Sequence, residues 1–416
     1  MSRVLMLLIV ASVLVLLDVY IFQSVRFLVQ QSSSVTKRVV TIGYWLISAV
    51  ALASFFYYNL SDKAEMSRGL RTFLFAVIFI NYASKFFGVL ALVIDDAVRL
   101  GQWAWAKLRP SDVPVATGTE GISRSDFLVK TSLVATAVPA LAMTYGIISG
   151  AHDYRVRRVK VPLKNLPPSF DGLRIGQLSD IHSGSFYNKT AVQGGVDMLL
   201  QEKPDVIFFT GDLVNNQATE IKDYFPIFSQ VKAPLGVFST LGNHDYGDYI
   251  TWPSPQAKQR NLEMVKAAHR EMGWNLLLDE HRMLSEGDGT LAIIGIENWG
   301  AGRFAKYGDL AKAHRGTDGA DAKLLLSHDP SHWDAQVRPS FPDIDLALAG
   351  HTHGMQFGVE VGGFKWSPAQ YVYKQWAGLY QEGEQFLYVN RGYGYLAFPG
   401  RIGMPPEVTI LELTRA

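Results

Sequence analysis

Apolar positions are distributed very unevenly along this 416-residue chain. Before residue 151 they form four almost unbroken stretches, Val4–Val25, Val39–Tyr58, Phe73–Ile94 and Phe127–Ser149. A bilayer core takes about 20 apolar residues in a helix, and soluble helices of that length seldom lack a polar face. The pattern predicts four transmembrane α-helices in a membrane domain covering residues 1–150. The main variant is a cleaved signal peptide followed by three helices, but Val4–Val25 is long for a signal core and lacks an A-x-A site. Asp18 interrupts the first stretch and Lys85 the third. Each reads either as a functional intramembrane charge or as a side chain reaching the interface or a bundle partner.

Between the third and fourth stretches, Arg99–Arg124 carries Pro110, Pro114, Gly118 and Gly121. It reads as an exposed connector with an interfacial helix around Gln102–Leu108. Beyond Gly150 the pattern changes. Arg155, Arg157, Arg158 and Lys160 mark residues 151–160 as a basic linker, and residues 161–416 as a domain of ordinary soluble character. There, short β-rich runs alternate with helical patterns. Leu173–Leu178, Val206–Thr210, Val237–Leu241, Leu291–Ile296, Leu324–Ser327, Ile344–Ala349, Phe386–Asn390 and Val408–Leu413 read as strands. Thr190–Leu200, Gln256–Met272 and Phe304–His314 read as helices. Buried strands mixed with helices predict an α/β (α+β) layered domain.

Composition narrows the chemistry. Lys+Arg is 39 against 38 Asp+Glu, so no basic surface for nucleic acid is expected. The absence of cysteine rules out disulfides, thiolate metal sites and a thiol nucleophile. Lys and Arg are nearly balanced across the loops, so the positive-inside rule gives little orientation. Ser123–Leu128 is similar to a twin-arginine export signal in which Ser125 replaces one arginine. On that reading the soluble domain lies outside the cytoplasm of a bacterial cell, on a multi-pass inner-membrane protein.

Chemically loaded residues stand at the C-terminal ends of five predicted strands: Asp180 and His182; Asp212; Asn243, His244 and Asp245; His328; and His351 and His353. In open α/β sheets ligands bind beyond the carboxyl ends of strands. Carboxylate, imidazole and amide oxygen together suit Mn, Fe or Zn and fit an all-oxygen calcium site poorly. Two divalent ions about 3.5–4 Å apart clamp a phosphoryl group and generate a hydroxide nucleophile at neutral pH. Asp212 is the natural carboxylate to bridge them. Gly211, Gly242 and Gly350 permit tight turns near the ions. Each piece alone is weak, since Asp-x-His or Gly-Asp is common; the five in this order are not a chance set.

The series Asp180-x-His182, Gly211-Asp212, Gly242-Asn243-His244-Asp245, His328 and Gly350-His351-x-His353 resembles the calcineurin-like metallophosphoesterases, over roughly Leu173–Leu413. The ending, with Ala377–Tyr380, Tyr388–Gly392 and Pro405–Val408, is similar to the bacterial membrane-associated branch. The resemblance implies a four-layer sandwich of two mixed β-sheets flanked by helices. It implies one ion held by Asp180, His182, Asp212 and His353, and a second by Asp212, Asn243, His328 and His351. It implies that His244 contacts the phosphate and protonates the leaving group, with Asp245 orienting its imidazole. Cleavage of a phosphate ester or pyrophosphate is expected, on a lipid-linked substrate of phospholipid or UDP-diacylglucosamine type. The alternatives are a tethered phosphatase for soluble substrates and a non-catalytic membrane scaffold.

Other residues read as ordinary. His152, His269, His281, His314 and His332 are core or surface residues. Tyr246, Tyr249 and Trp252 serve loop packing or substrate gating. The aromatic run Phe364, Trp366, Tyr371, Tyr373, Trp376 and Tyr380 reads as packing, with membrane or substrate contact as the alternative. Arg391 reads as a phosphate contact or a structural ion pair.

Overall fold

In the computed structural model, which describes residues 2–62, 66–108, 124–302 and 304–416, the chain divides into two compact units, Met1–Tyr145 and Gly146–Ala416. The helices of the first are α1 (Arg3–Leu28), α2 (Ser34–Leu60), α3 (Arg68–Leu108) and α4 (Arg124–Ile148), the last running on into the second unit. All four are long and apolar enough to cross a membrane. Serine N-caps start two of them: Ser2 accepts the Leu5 N–H and Ser33 the Thr36 N–H. Gln102–Leu108, expected as a separate interfacial helix, is instead the end of α3. Residues 109–123, including Ser123 of the export-like signal, lie outside the described residues.

The two charges noted in the apolar stretches form one pair. Lys85 Nζ stands 2.5 Å from Asp18 Oδ1, and both side chains are buried. Ser48 Oγ lies 2.9 Å from Lys85 Nζ and 3.0 Å from Asp18 Oδ1. Tyr44 donates to the Asp18 carbonyl at 2.6 Å, and its ring lies 4.5 Å from the Lys85 ammonium. Pairing answers the cost of a bare charge in lipid, about 2.5–3.5 kcal/mol on insertion scales, and it ties α1, α2 and α3 together. Close packing does the same for α3 and α4. A Cβ at Gly88 would collide with Thr136 Oγ1 and the Ser132 carbonyl, the usual reason for a small residue between membrane helices.

The second unit is built from β1 (Arg155–Leu163), β2 (Arg174–Leu178), α5 (Lys189–Gln201), β3 (Val206–Phe209), α6 (Phe225–Phe228), β4 (Val237–Ser239), α7 (Pro255–Glu271), β5 (Asn275–Leu276), β6 (Glu280–Glu286), β7 (Gly289–Gly295), α8 (Leu310–His314), β8 (Ala322–Leu326), α9 (Arg338–Ser340), β9 (Leu346–Ala349), β10 (Val359–Val361), β11 (Phe364–Trp366), β12 (Gly378–Glu382), β13 (Gln385–Val389) and β14 (Glu407–Arg415). One six-stranded sheet runs β1-β14-β2-β3-β4-β5 and the other β12-β13-β9-β8-β7-β6, with β10-β11 a separate hairpin. Arg155–Lys160, expected within a linker, are the first residues of β1, which pairs in parallel with β14 over its whole length. The helix expected over Phe304–His314 is shorter. It begins at Leu310, where the Asp309 carboxylate accepts the Lys312 N–H at 2.9 Å.

Strand alternation explains the layering. Val206 and Phe208 point into a core shared with Leu291, Leu324, Leu346 and Tyr388 of the other sheet. Their neighbours Ile207 and Phe209 face outward onto Val196 and Leu199 of α5 and Val265 of α7. In the second sheet Ala292, Leu325 and Ala347 likewise face Leu310 of α8 and Trp333. Strands buried on both faces read as continuous apolar runs, as Val206–Phe209 and Leu346–Ala349 do. Within the sheets β2, β3 and β4 are mutually parallel, and so are β7, β8, β9 and β13.

Candidate metal centre

The parallel strands deliver their next residues to the site. Asp180 and His182 follow β2, Asp212 follows β3, Asn243–Asp245 follow β4, His328 follows β8, and His351 and His353 follow β9. Two clusters result: Asp180, His182 and His353 in one, Asp212, His328 and His351 in the other. In the first, His353 Nε2 lies 3.1 Å from His182 Nε2 and 3.3 Å from Asp180 Oδ1. In the second, His328 Nε2 lies 3.1 Å from Asp212 Oδ2 and 3.3 Å from His351 Nδ1. The two clusters meet at Asp212, whose Oδ2 also stands 3.4 Å from His182 Nε2.

Tautomers and backbone prepare these groups as ligands. His328 Nδ1 faces the Thr210 carbonyl at 2.7 Å, and His182 Nδ1 faces Asn215 Oδ1 at 3.1 Å. A ring that donates through Nδ1 presents the Nε2 lone pair to an ion. Asn243 donates through Nδ2 to Tyr249 at 2.7 Å, while its buried Oδ1 has no hydrogen-bond partner. Such an orphan costs free energy unless something else fills the role, and an amide oxygen suits a divalent cation. The residues present therefore fit two divalent ions. Asp180, His182, Asp212, His351 and His353 all adopt left-handed backbone, with φ of 53°, 47°, 63°, 68° and 51°. Asp and His tolerate that region better than most residues, and strained backbone concentrates at functional sites. All three noted glycines are required by close approach: a Cβ at Gly350 would strike Ser179 Oγ and the Asp180 carboxylate, one at Gly242 the Asp212 carboxylate, and one at Gly211 the Gly242 backbone.

Comparison with known proteins gives the arrangement a family. Residues 173–355 match the family described as "Calcineurin-like phosphoesterase", and residues 2–151 match "Probable Calcineurin-like phosphoesterase, transmembrane domain". The chain belongs to the calcineurin-like metallophosphoesterases. A zebrafish protein named transmembrane protein with metallophosphoesterase domain is 30% identical over 71% of this chain and 65% of its own length. The bovine protein of that name is 31% identical, over 68% of this chain and 62% of its own. The chain thus spans under two thirds of the length of these relatives. The Bacillus subtilis metallophosphoesterase YkuE is 29% identical over 70% of this chain and 98% of its own.

Metallophosphoesterases of this family use two divalent metals, and the electrostatics here suit them. Asp180 and Asp212 are fully buried carboxylates in close company. Burial alone would push both up, but His353 and His328 beside Asp180, and His328 and His244 beside Asp212, hold both below the usual carboxylate range. Burial drives His182 well down, so it stands neutral, as a ligand must. His328 goes the other way: burial would lower it, yet the Asp212 and Asp180 carboxylates raise it to about 10. The pair of acids demands a positive charge between them.

Asp245 corrects an expectation. Its Oδ1 accepts the N–H groups of Leu213 (2.9 Å) and Val214 (3.2 Å), and its Oδ2 those of Asp212 and Gly242 (both 2.9 Å). Both oxygens are taken up by backbone, so it does not orient the His244 ring. That task falls to the Asn215 carbonyl, 2.8 Å from His244 Nδ1. Arg391 proves structural: it is buried between Glu407 (2.7 Å) and Glu360 (3.0 Å). Three residues near the site were not singled out by the motifs. Asn215 follows Asp212 by three, Asp329 follows His328 directly, and Tyr373 donates to or accepts from His351 Nε2 at 2.8 Å. Asp329 and Tyr373, with Ser331, Asp334, Lys374 and Gln375, line a cavity of about 490 Å³ beside the second cluster.

Proposed function

We propose that the protein hydrolyses a phosphate ester or pyrophosphate whose organic part is a lipid, at the two-cluster centre. The observation that carries the hydrolytic reading is Asp212 Oδ2, within 3.4 Å of a histidine from each cluster. Asp180, His182, Asp212 and His353 would hold one ion, and Asp212, Asn243, His328 and His351 the other. Bound there, the ions supply Lewis-acid stabilisation of phosphoryl charge and lower the pKa of water.

This chain's own residues supply the rest. The Asn215 carbonyl accepts the His244 Nδ1–H, so Nε2 is the ring nitrogen left to pass a proton to a departing alkoxide or phosphate. Asp245 fixes the backbone of both Asp212 and Gly242, keeping the shared carboxylate and the His244 turn in register. The cavity bordered by Asp329, Lys374 and Gln375 suits a polar headgroup beside the reacting phosphate. Four membrane-spanning helices support a lipid-borne substrate, since a tethered enzyme meets lipid at high effective concentration. The test is hydrolysis by the metal-loaded full chain in liposomes, comparing lipid-linked phosphodiesters and pyrophosphates with their water-soluble headgroup analogues. Equal rates on both forms would favour a tethered general phosphatase. We place the site outside the cytoplasm of a bacterial cell. Fusions after Arg155 should be active as alkaline phosphatase and dark as green fluorescent protein; the reverse would put it inside.

A further inference from the structure

Large exposed apolar side chains of the second unit gather between Met355 and Val372. Val361 is 71% exposed, Phe364 62%, Tyr371 76% and Val372 65%. The β10-β11 hairpin shows that this exposure is built in. Val359 pairs with Trp366, Glu360 with Lys365, and Val361 with Phe364. Side chains alternate across strands, so Val359, Val361, Phe364 and Trp366 share one face and Glu360 and Lys365 the other. The polar face is the one turned into the domain. Glu360 pairs with Arg157 at 2.5 Å and with the buried Arg391 at 3.0 Å. Lys365 Nζ donates to the Ala377 carbonyl at 2.6 Å and lies 5.2 Å from the Trp376 ring. The apolar face is left outside, the reverse of a half-solvated antiparallel sheet. Trp366 Nε1 stands 3.4 Å from Tyr371 OH, which brings the Tyr371–Val372 turn alongside the hairpin.

We propose that this inverted hairpin and the adjoining turn dip into the headgroup region of a lipid bilayer. The chain carries four helices able to cross a membrane, so a bilayer is always within reach of this unit. Valine and phenylalanine flanked by tryptophan and tyrosine are what the boundary between headgroups and acyl chains selects. An exposed apolar patch of this kind facing water alone would invite aggregation. The patch also adjoins the site. Val372 lines the cavity, and the next residue, Tyr373, touches His351. A lipid whose phosphate sits at the metal centre would have its acyl chains led over this face. That consequence rests on the lipid-substrate reading, while the contact with the bilayer does not.

The lack of any cysteine allows a clean test. Val361→Cys and, separately, Phe364→Cys in the full chain are labelled with an environment-sensitive fluorophore. Each is reconstituted into phosphatidylethanolamine–phosphatidylglycerol vesicles containing a phosphatidylcholine with an acyl-chain nitroxide. Met264→Cys on α7 is the control. Labels at 361 and 364 should lose about half their fluorescence or more, as expected for side chains sunk ~5–10 Å into the boundary, and the control should not. Quenching no greater than the control's overturns the proposal. So does shielding that appears in detergent and grows with protein concentration, which would assign the face to a second copy. Quenching together with equal hydrolysis of lipid and soluble substrates would support the docking while removing the lipid-substrate reading.

Discussion

The carboxylate of Asp245 accepts the backbone N–H of Asp212 at 2.9 Å, and so braces the residue whose Oδ2 lies within 3.4 Å of both His182 and His328. The acid next to His244 in sequence thus bonds the backbone around Asp212 and not the histidine ring.

Replacing Asp245 by Ala should therefore strip metal as well as activity. Four backbone N–H groups lose their acceptor, at about 1–3 kcal/mol each if left unsatisfied, and Asp212 loses its position. Metal analysis of the purified variant should show both ions depleted. Normal metal content with only turnover lost would return Asp245 to a role on His244.

Asp212→Asn should abolish turnover, because neither cluster keeps its shared carboxylate. Loss of Asp180 or His353 should deplete mainly the ion of the first cluster. Metal stoichiometry across the three variants is the check. Full turnover by the Asp212 variant with normal metal content would end the two-ion assignment.

His244→Ala should keep its metals and slow turnover by ~10²–10⁴, the range for a general acid. The deficit should shrink for nitrophenyl esters, whose leaving groups need no proton. A uniform deficit across leaving groups would instead indicate phosphate binding.

His269 gives the fold a pH dependence of its own. It is buried against Phe209 and Trp274, Ser239 Oγ meets its Nδ1 at 3.0 Å, and its Nε2 has no partner. Burial lowers its pKa from 6.5 to about 3. Above pH 6.5 neither folded nor unfolded chain protonates it. Between 6.5 and 3 only the unfolded chain does, so its contribution to stability falls as pH falls, by about 1.4 kcal/mol per unit. His269→Gln should lose that share of the acid sensitivity. Unfolding of both proteins at pH 7.5 and 5 would show the gap between them moving in the variant's favour; a constant gap would mean that His269 is protonated in the fold.

Lys85→Ala or Asp18→Ala should each destabilise the helical unit strongly, since removing one partner of a buried pair costs about 3–5 kcal/mol. The double replacement by leucine should recover most of the loss. Thermal unfolding in detergent of the single and double variants tests this, and additive losses would contradict a shared pair.

Much of this was legible in the chain. The ligand series could be read because each acid or imidazole follows a run buried on both faces, as Asp212 follows Val206–Phe209. The Asp18–Lys85 pair could not be assembled, because 67 positions separate its members and only helix packing joins them. β1 was hidden by its basic residues: Arg157 is paired with Glu407 and Glu360, and Lys160 with Glu412, so charge that read as a linker sits in a sheet. The task of Asp245 was obscured for a related reason, since its partners are backbone N–H groups, which leave no mark in a sequence.

The left-handed backbone at five candidate ligand positions has a consequence for anyone engineering this protein. Each such residue raises the energy of the folded chain by about 1–2 kcal/mol relative to relaxed backbone, and glycine at the same place would relieve it. Libraries at Asp180, His182, Asp212, His351 and His353 sorted for heat resistance without metal should enrich glycine and discard the ligands. Thermostability is a misleading proxy for activity at these positions, and the most robust variants recovered there will be the inert ones.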